Sequence, residues 1–181
     1  MAVSKALYKS AVLRMPRADI GSIMTAANAE VSRDNPQMLF VTLFAGILDL
    51  DSGELDYCNA GNENPYLLNA AEPAVQRITD GDGPPLCAID GFAYRGGHRR
   101  LAPGTTLCLM TDGAAEAQST TGELYGQARV ERSLVRSRDA DAPARAVVED
   151  LHADVQAFAA GAEAADDLTI LVLRWRGPRV L

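Results

Sequence analysis

The run QMLFVTLFAGILDL, from Gln37 to Leu50, constrains the fold more than any other stretch of this sequence. It is rich in β-forming residues and apolar at odd and even positions alike, which is typical of a strand covered on both faces. The DSGE turn after it leads into LDYCNAG, which predicts a hairpin. Such a strand needs a second sheet on one face and helices on the other, so a layered fold is expected.

Helical patterns stand on either side of the strand-rich middle of the chain. They run from Ala2 to Leu13, from Arg17 to Arg33, from Gln127 to Arg138 and from Ala142 to Ala160. Further strands are expected in PYLLNA, from Phe92 to Leu101, from Thr105 to Met110 and from Leu168 to Trp175, with a long irregular stretch from Ala71 to Asp90. This order predicts an α+β fold with two antiparallel β-sheets packed face to face and helices outside.

Composition narrows the class of protein. A chain of 181 residues with 48% apolar side chains is expected to form a single domain over residues 1–181. A net charge of −7 argues against a nucleic-acid partner and against an anionic membrane surface. No apolar stretch approaches the roughly 20 residues that cross a bilayer, and MAVSKALYKS lacks the apolar core of a signal peptide. A cytoplasmic protein is therefore expected.

Carboxylates at strand ends are the candidates for chemistry. Asp112 closes the apolar strand in TLCLMTDGAAEA, and Asp166 and Asp167 precede the strand in EAADDLTILVLR. If the two strands are neighbours, the carboxylates converge on one rim, where Mg²⁺ or Mn²⁺ would find the oxygen ligands it prefers. Gly113 would leave room for the metal and its waters. The alternative is that Asp112-Gly113 is a turn and Asp166-Asp167 a solvated loop.

Several segments, in the right order, resemble one protein family. LAPGTTLCLMTDGAAEA is similar to the signature L-x-P-G-D-x-L-x-L-Y-T-D-G-x-x-E-A of the metal-dependent Ser/Thr protein phosphatases, the PPM or type-2C family, in their bacterial SpoIIE-like branch. MLFVTLFAGILDLDSGELDYCNAGNENPYLL, GPPLCAI, TGELYGQARV and ADDLTILVLR resemble further segments of that branch. The resemblance covers nearly the whole chain.

The resemblance implies an αββα sandwich and the hydrolysis of phosphoserine or phosphothreonine by two Mn²⁺ or Mg²⁺ ions. It implies that Asp112 and Asp166 are catalytic metal ligands, with Asp167 as a secondary ligand or as the residue that orients its neighbour. The implied substrate is a regulatory phosphoprotein, typically an anti-sigma-factor antagonist, and a sensor or receiver domain is expected upstream in the parent protein.

Two departures from the family pattern stand out. The motif D-x-x-G-[HK]-G-x-x-A-A, whose Asp bridges both metals, would precede MAVSKALYKS, so the domain is expected to lack its first strands. Asp19 and Asp34 lie in no such motif. In NAGNENP, Asn62 stands at the family His and Glu63 at the family Asn.

These departures shape the functional expectations. The chain is expected to be an incomplete catalytic domain that is inactive or weakly active alone, and the open flank of its sheets is expected to favour a homodimer. The alternative is a non-catalytic partner-binding module of the same fold. An unrelated metal-binding domain is a third, remote reading. His98 and His152 are expected to be solvated, as are Arg129, Arg132 and Arg136, unless those arginines dock a phosphoprotein.

Overall fold

The computed structural model describes residues 18–33, 35, 37–72, 74–137, 142–163 and 166–178. Strand β2 (Glu54–Ala60) pairs with each of the other three strands in the first of two four-stranded sheets. On one side β2 pairs antiparallel with β1 (Leu43–Leu48), from Leu43 opposite Ala60 to Leu48 opposite Leu55. The turn between them is held by Asp49, whose Oδ1 accepts hydrogen bonds from the N–H groups of Asp51 and Ser52. The predicted hairpin is confirmed.

The other side of β2 carries two short strands. β6 (Gly97–Arg100) pairs with it antiparallel, and β5 (Asp82–Gly83) pairs with it in parallel over two residues. The sheet is therefore antiparallel except for this one short pair.

The second sheet contains β3 (Tyr66–Leu68), β4 (Gln76–Arg77), β7 (Thr106–Met110) and β8 (Ile170–Arg174). Its strand order is β4-β3-β7-β8, and every pairing in it is antiparallel. The expected α+β class is confirmed, with two sheets and, among the described residues, three α-helices. These residues include no helix with the length and apolar character needed to cross a membrane.

Helix α1 (Ile20–Arg33) packs on the first sheet. Asp19 caps its N-terminus: Oδ1 accepts a hydrogen bond from the N–H of Ser22 at 2.9 Å, and Oδ2 accepts one from the hydroxyl of Ser22 at 2.6 Å. These hydrogen bonds from Ser22 lower the pKa of Asp19. Ile20 and Met24 face Ala45 and Cys58 of the sheet in a buried cluster. Asp19 thus has a capping role.

Helices α2 (Gln127–Arg136) and α3 (Ala144–Ala159) cover one face of the second sheet. Their buried apolar residues occur at helical spacing, and they pack against the sheet side chains that alternate toward that face. From the helices the cluster takes Val130, Leu134, Val147, Leu151 and Val155, and from the sheet Tyr66, Leu68, Cys108 and Met110. This core packs against the face of β7 that carries Cys108 and Met110.

The chain folds as two compact units. One contains the described residues up to 62 and residues 79–101, with the first sheet, and the other contains the described residues between 63 and 78 and from 102 onward, with the second.

Some predicted bounds are wrong. The strand predicted from Gln37 begins only at Leu43, because Met38 has a φ of +50° and Asn35 exchanges two hydrogen bonds with the backbone of Leu39. The strand predicted from Phe92 is confined to β6, and the stretch expected to be irregular contains β4 and β5. The helix expected from Ala2 to Leu13 lies outside the described residues, as does Asp34.

Candidate metal-binding edge

The end of β7 and the start of β8 lie at the same edge of the second sheet. The two strands are antiparallel, and Met110 is paired with Ile170 at that end. Asp112 follows β7 by two residues, and Asp167 precedes β8 by three. The structure therefore brings the predicted carboxylates to one edge, and the strand pairing on which that prediction depended is confirmed.

Thr111 links the two chain segments beyond the last strand pair. Its backbone N–H donates to the carbonyl of Thr169 at 3.1 Å, and its hydroxyl donates to the carbonyl of Asp167 at 2.9 Å. The same hydroxyl oxygen accepts the N–H of Thr169 at 3.0 Å. Thr111 thus fixes the backbone beside both carboxylate positions. The sequence motifs predict no role for Thr111 beyond its place as the threonine of the T-D-G signature.

Gly113 allows the two segments to approach closely. A Cβ atom at this position would lie 2.7 Å from the carbonyl oxygen and 3.0 Å from the carbonyl carbon of Asp167. Backbone atoms cannot move aside as a flexible side chain can, so a side chain here would force the segments apart. The expectation that Gly113 leaves room for a metal is corrected in this respect, because the backbone of Asp167 occupies the space where its side chain would be.

The three carboxylates are exposed. Asp112 begins a single 3₁₀ turn, Asp112–Ala114, and its carbonyl accepts the N–H of Glu116 at 2.9 Å. Asp166 uses Oδ1 to accept the N–H of Asp167 at 2.7 Å. The backbone carbonyl of Asp167 accepts the hydrogen bond from the Thr111 hydroxyl. A turn at Asp112-Gly113 and a metal role for Asp112 are therefore compatible, because the turn is made by the backbone.

The donor chemistry of this edge suits a hard divalent cation, since carboxylate oxygens are the ligands that Mg²⁺ and Mn²⁺ take. The carboxylates at this edge are too few to complete such a site by themselves. Among the residues that the structure describes, no group of three or more His, Cys, Asp or Glu side chains is arranged to hold a metal ion. The edge therefore supplies part of a donor set.

Asn62 and Glu63, the two residues of NAGNENP that depart from the family pattern, both contact neighbouring side chains. In the first unit, the N–H of Asn62 donates to Oδ1 of Asn59, and its carbonyl accepts from Nδ2 of the same residue. In the second unit, Glu63 lies 3.9 Å from the guanidinium of Arg77, which also donates to Gln127 and lies over the ring of Tyr66.

Three of the other residues that the sequence singled out, His98, Arg129 and Arg136, lie in ion pairs elsewhere. Both ring nitrogens of His98 lie 2.7 Å from carboxylate oxygens, of Asp56 and Glu54, and the hydrogen bond with Asp56 raises the pKa of His98. Arg129 pairs with Glu123 at 2.5 Å, and Arg136 pairs with Asp154 at 2.7 Å. These two arginines have partners within the chain. His98 is exposed, as expected, but paired.

Comparison with protein families gives an extended match. The model of the family described as stage II sporulation protein E (SpoIIE) matches residues 1–176 of the chain. A curated relative, Protein IcfG of Synechocystis, is 31% identical over 96 residues, which is 53% of this chain and 15% of the relative. The chain thus spans about 15% of the length of that relative.

Solved structures share the fold. The RsbU and RsbW domains of a Mycobacterium tuberculosis protein superpose with a TM-score of 0.76 at 20% identity, covering 99% of this chain and 50% of that one. The manganese-presoaked phosphatase domain of the cell fate determinant SpoIIE from Bacillus subtilis gives 0.66 at 16% identity, covering 98% and 76%.

Proposed function

The chain belongs to the SpoIIE family, whose solved members include phosphatase domains, and from this premise we propose that it forms part of the catalytic domain of a metal-dependent protein-serine/threonine phosphatase. The single observation that carries the proposal is the edge of the second sheet. There Asp112 and Asp167 lie just beyond the ends of two neighbouring strands, in segments that are held together by the hydrogen bonds of Thr111 and by the close approach at Gly113.

Asp112 and Asp166 are the residues that would hold manganese or magnesium, with Asp167 in a secondary place. When bound, the ions would supply Lewis-acid polarisation of the phosphoryl group and an activated water. The part played by the chain itself is positioning. Hydrogen bonds at Thr111 hold the backbone segments on both sides of the edge together. The backbone that carries the Asp112 carboxylate is therefore held in place.

The substrate class that we propose is a phosphorylated regulatory protein, with an anti-sigma-factor antagonist as the specific candidate. Support comes from the SpoIIE-like motifs and from a structural neighbour that contains RsbU and RsbW domains in one protein. The net charge of −7 also favours a protein over a nucleic acid as the partner.

A non-catalytic, partner-binding module of the same fold is the second candidate. One observation favours it: within the described part of the chain, no three or more His, Cys, Asp or Glu side chains form a group that could hold a metal ion. Asp112 and Asp166 together supply a formal charge of −2, whereas two divalent cations carry +4. Mg²⁺ and Mn²⁺ need well-placed anionic oxygens to remain in a protein site.

Phosphate release separates the two candidates. With Mn²⁺ and a phosphoserine peptide, we expect the 181-residue chain by itself to release little phosphate, and the full-length gene product that carries this sequence to release it until EDTA is added. Absence of release by the full-length product would overturn the phosphatase proposal in favour of the binding module. Robust release by the 181 residues alone would show that a further group completes the metal site.

A further inference from the structure

A small pocket opens beside the carboxylate edge, within the unit that contains the second sheet. Its volume is about 110 Å³, and it lies between the C-terminal half of α3 and the segment before β8. Val155 and Ala159 of α3 and Leu168 give it apolar walls, while Gly113 and Asp166 connect it to the candidate metal edge. A side chain seated in this pocket would thus lie next to the proposed reaction centre.

The polar part of the pocket is negative. Glu163 and Asp166 contribute two carboxylates, Gln118 and Gln156 contribute amides, and none of the described residues that line the pocket is basic. The C-terminal end of α3, which carries a partial negative charge, reaches the pocket at Ala159, and its fully described last turn has no basic residue to offset that charge. The pocket therefore combines apolar walls with an uncompensated negative rim.

We propose that this pocket binds the side chain of a lysine or arginine that lies close to the phosphorylated residue of the substrate protein. The inference rests on the proposed phosphatase function and adds a substrate preference to it. Basic side chains fit this environment because their methylene stems pack on apolar surface while the charged head stays at a polar rim. Charge complementarity then contributes to the choice of partner.

The size of the pocket limits the occupant to a single side chain. Sites for drug-sized ligands span about 300 to 1,000 Å³, well above the 110 Å³ found here. The decisive residue is Glu163 rather than Asp166, since the latter is also proposed to hold a metal ion. Glu163 is exposed at the rim, so its contribution is expected to be modest and sensitive to salt.

Peptide binding to the 181-residue chain tests the pocket without any need for turnover. The probes are nine-residue phosphoserine peptides in an alanine background, with one lysine moved along the sequence, and matched peptides in which norleucine replaces that lysine. At one preferred position, lysine should bind roughly two- to five-fold tighter than norleucine, as expected for one exposed ion pair. In ¹⁵N spectra, the amide signals of Gly113, Ala159 and Ala162 should shift.

Two variants provide the comparison. Glu163→Gln should remove most of the preference for lysine, whereas Glu149→Gln, an equal charge change on α3 outside the pocket lining, should preserve it. Equal binding of lysine and norleucine peptides at every position, or an unchanged preference in Glu163→Gln, would overturn the pocket proposal. A lysine preference that depends on Glu163, together with no phosphate release by the full-length gene product, would support the pocket and overturn the reaction.

Discussion

Replacing Asp112 with asparagine in the full-length gene product is expected to lower Mn²⁺-dependent hydrolysis of p-nitrophenyl phosphate by more than about 100-fold, since losing even an outer-shell partner of a metal ligand typically costs 10- to 100-fold. The substitution removes a ligand charge and retains the shape of the side chain. Because Asp112 is exposed at the end of β7, the fold should be unchanged. Steady-state kinetics over a range of Mn²⁺ concentrations, with circular dichroism as the check on folding, measures both effects.

Asp51→Asn is the matched control. Asp51 is exposed in the turn between β1 and β2, so the same charge is lost away from the edge. The activity of the Asp51→Asn variant should equal that of the unaltered protein. Near-normal turnover in Asp112→Asn would contradict the ligand role of Asp112.

Gly113→Ala is expected to destabilise the protein by about 1 to 3 kcal/mol, the usual cost of forcing extra volume into a packed site. The added Cβ would lie 2.7 Å from the carbonyl oxygen of Asp167, so the backbone segments at the edge must separate. Separation would weaken the hydrogen bonds of Thr111 to Asp167 and Thr169. Urea denaturation of the 181-residue chain measures the loss of stability, and the full-length gene product should also lose activity.

Gly46→Ala serves as the comparison for that variant. The added Cβ at Gly46 would come within 3.2 Å of Cδ1 of Leu55, a side-chain methyl that can rotate away. We expect the free energy of unfolding to change much less there. Equal effects of the two substitutions would show that the close approach at Gly113 is not what holds the edge together.

Much of this edge is predictable from sequence, because β7 and β8 are short apolar runs with a clear polar end. Asp112 and the pair Asp166-Asp167 stand at those ends, and only the pairing of the two strands had to be assumed. The SpoIIE-like motifs made the fold class predictable as well. Antiparallel pairing then places the end of one strand beside the start of the next.

Other features depend on contacts between residues distant in sequence. The hydroxyl of Thr111 has its hydrogen-bond partners 56 and 58 residues away, and the pocket beside the carboxylate edge forms only when Val155 and Leu168 come together. The start of β1 was mispredicted for a local reason. Met38, Leu39 and Phe40 are apolar and fit a strand pattern, yet all three are more than 60% exposed, because the backbone near Asn35 follows a hydrogen-bonded turn instead.

Paramagnetic broadening by Mn²⁺ in the ¹⁵N spectrum of the 181-residue chain tests whether the carboxylate edge binds metal, because it locates a bound ion whether or not the chain is active. We expect the amide signals of Gly113, Ala114, Asp167 and Leu168 to broaden at the lowest Mn²⁺ concentrations. The double variant Asp112→Asn, Asp166→Asn should abolish that broadening, and Asp51→Asn should leave it intact. Broadening that begins elsewhere, or that survives in the double variant, would contradict the assignment of this edge as the metal-binding part of a phosphatase.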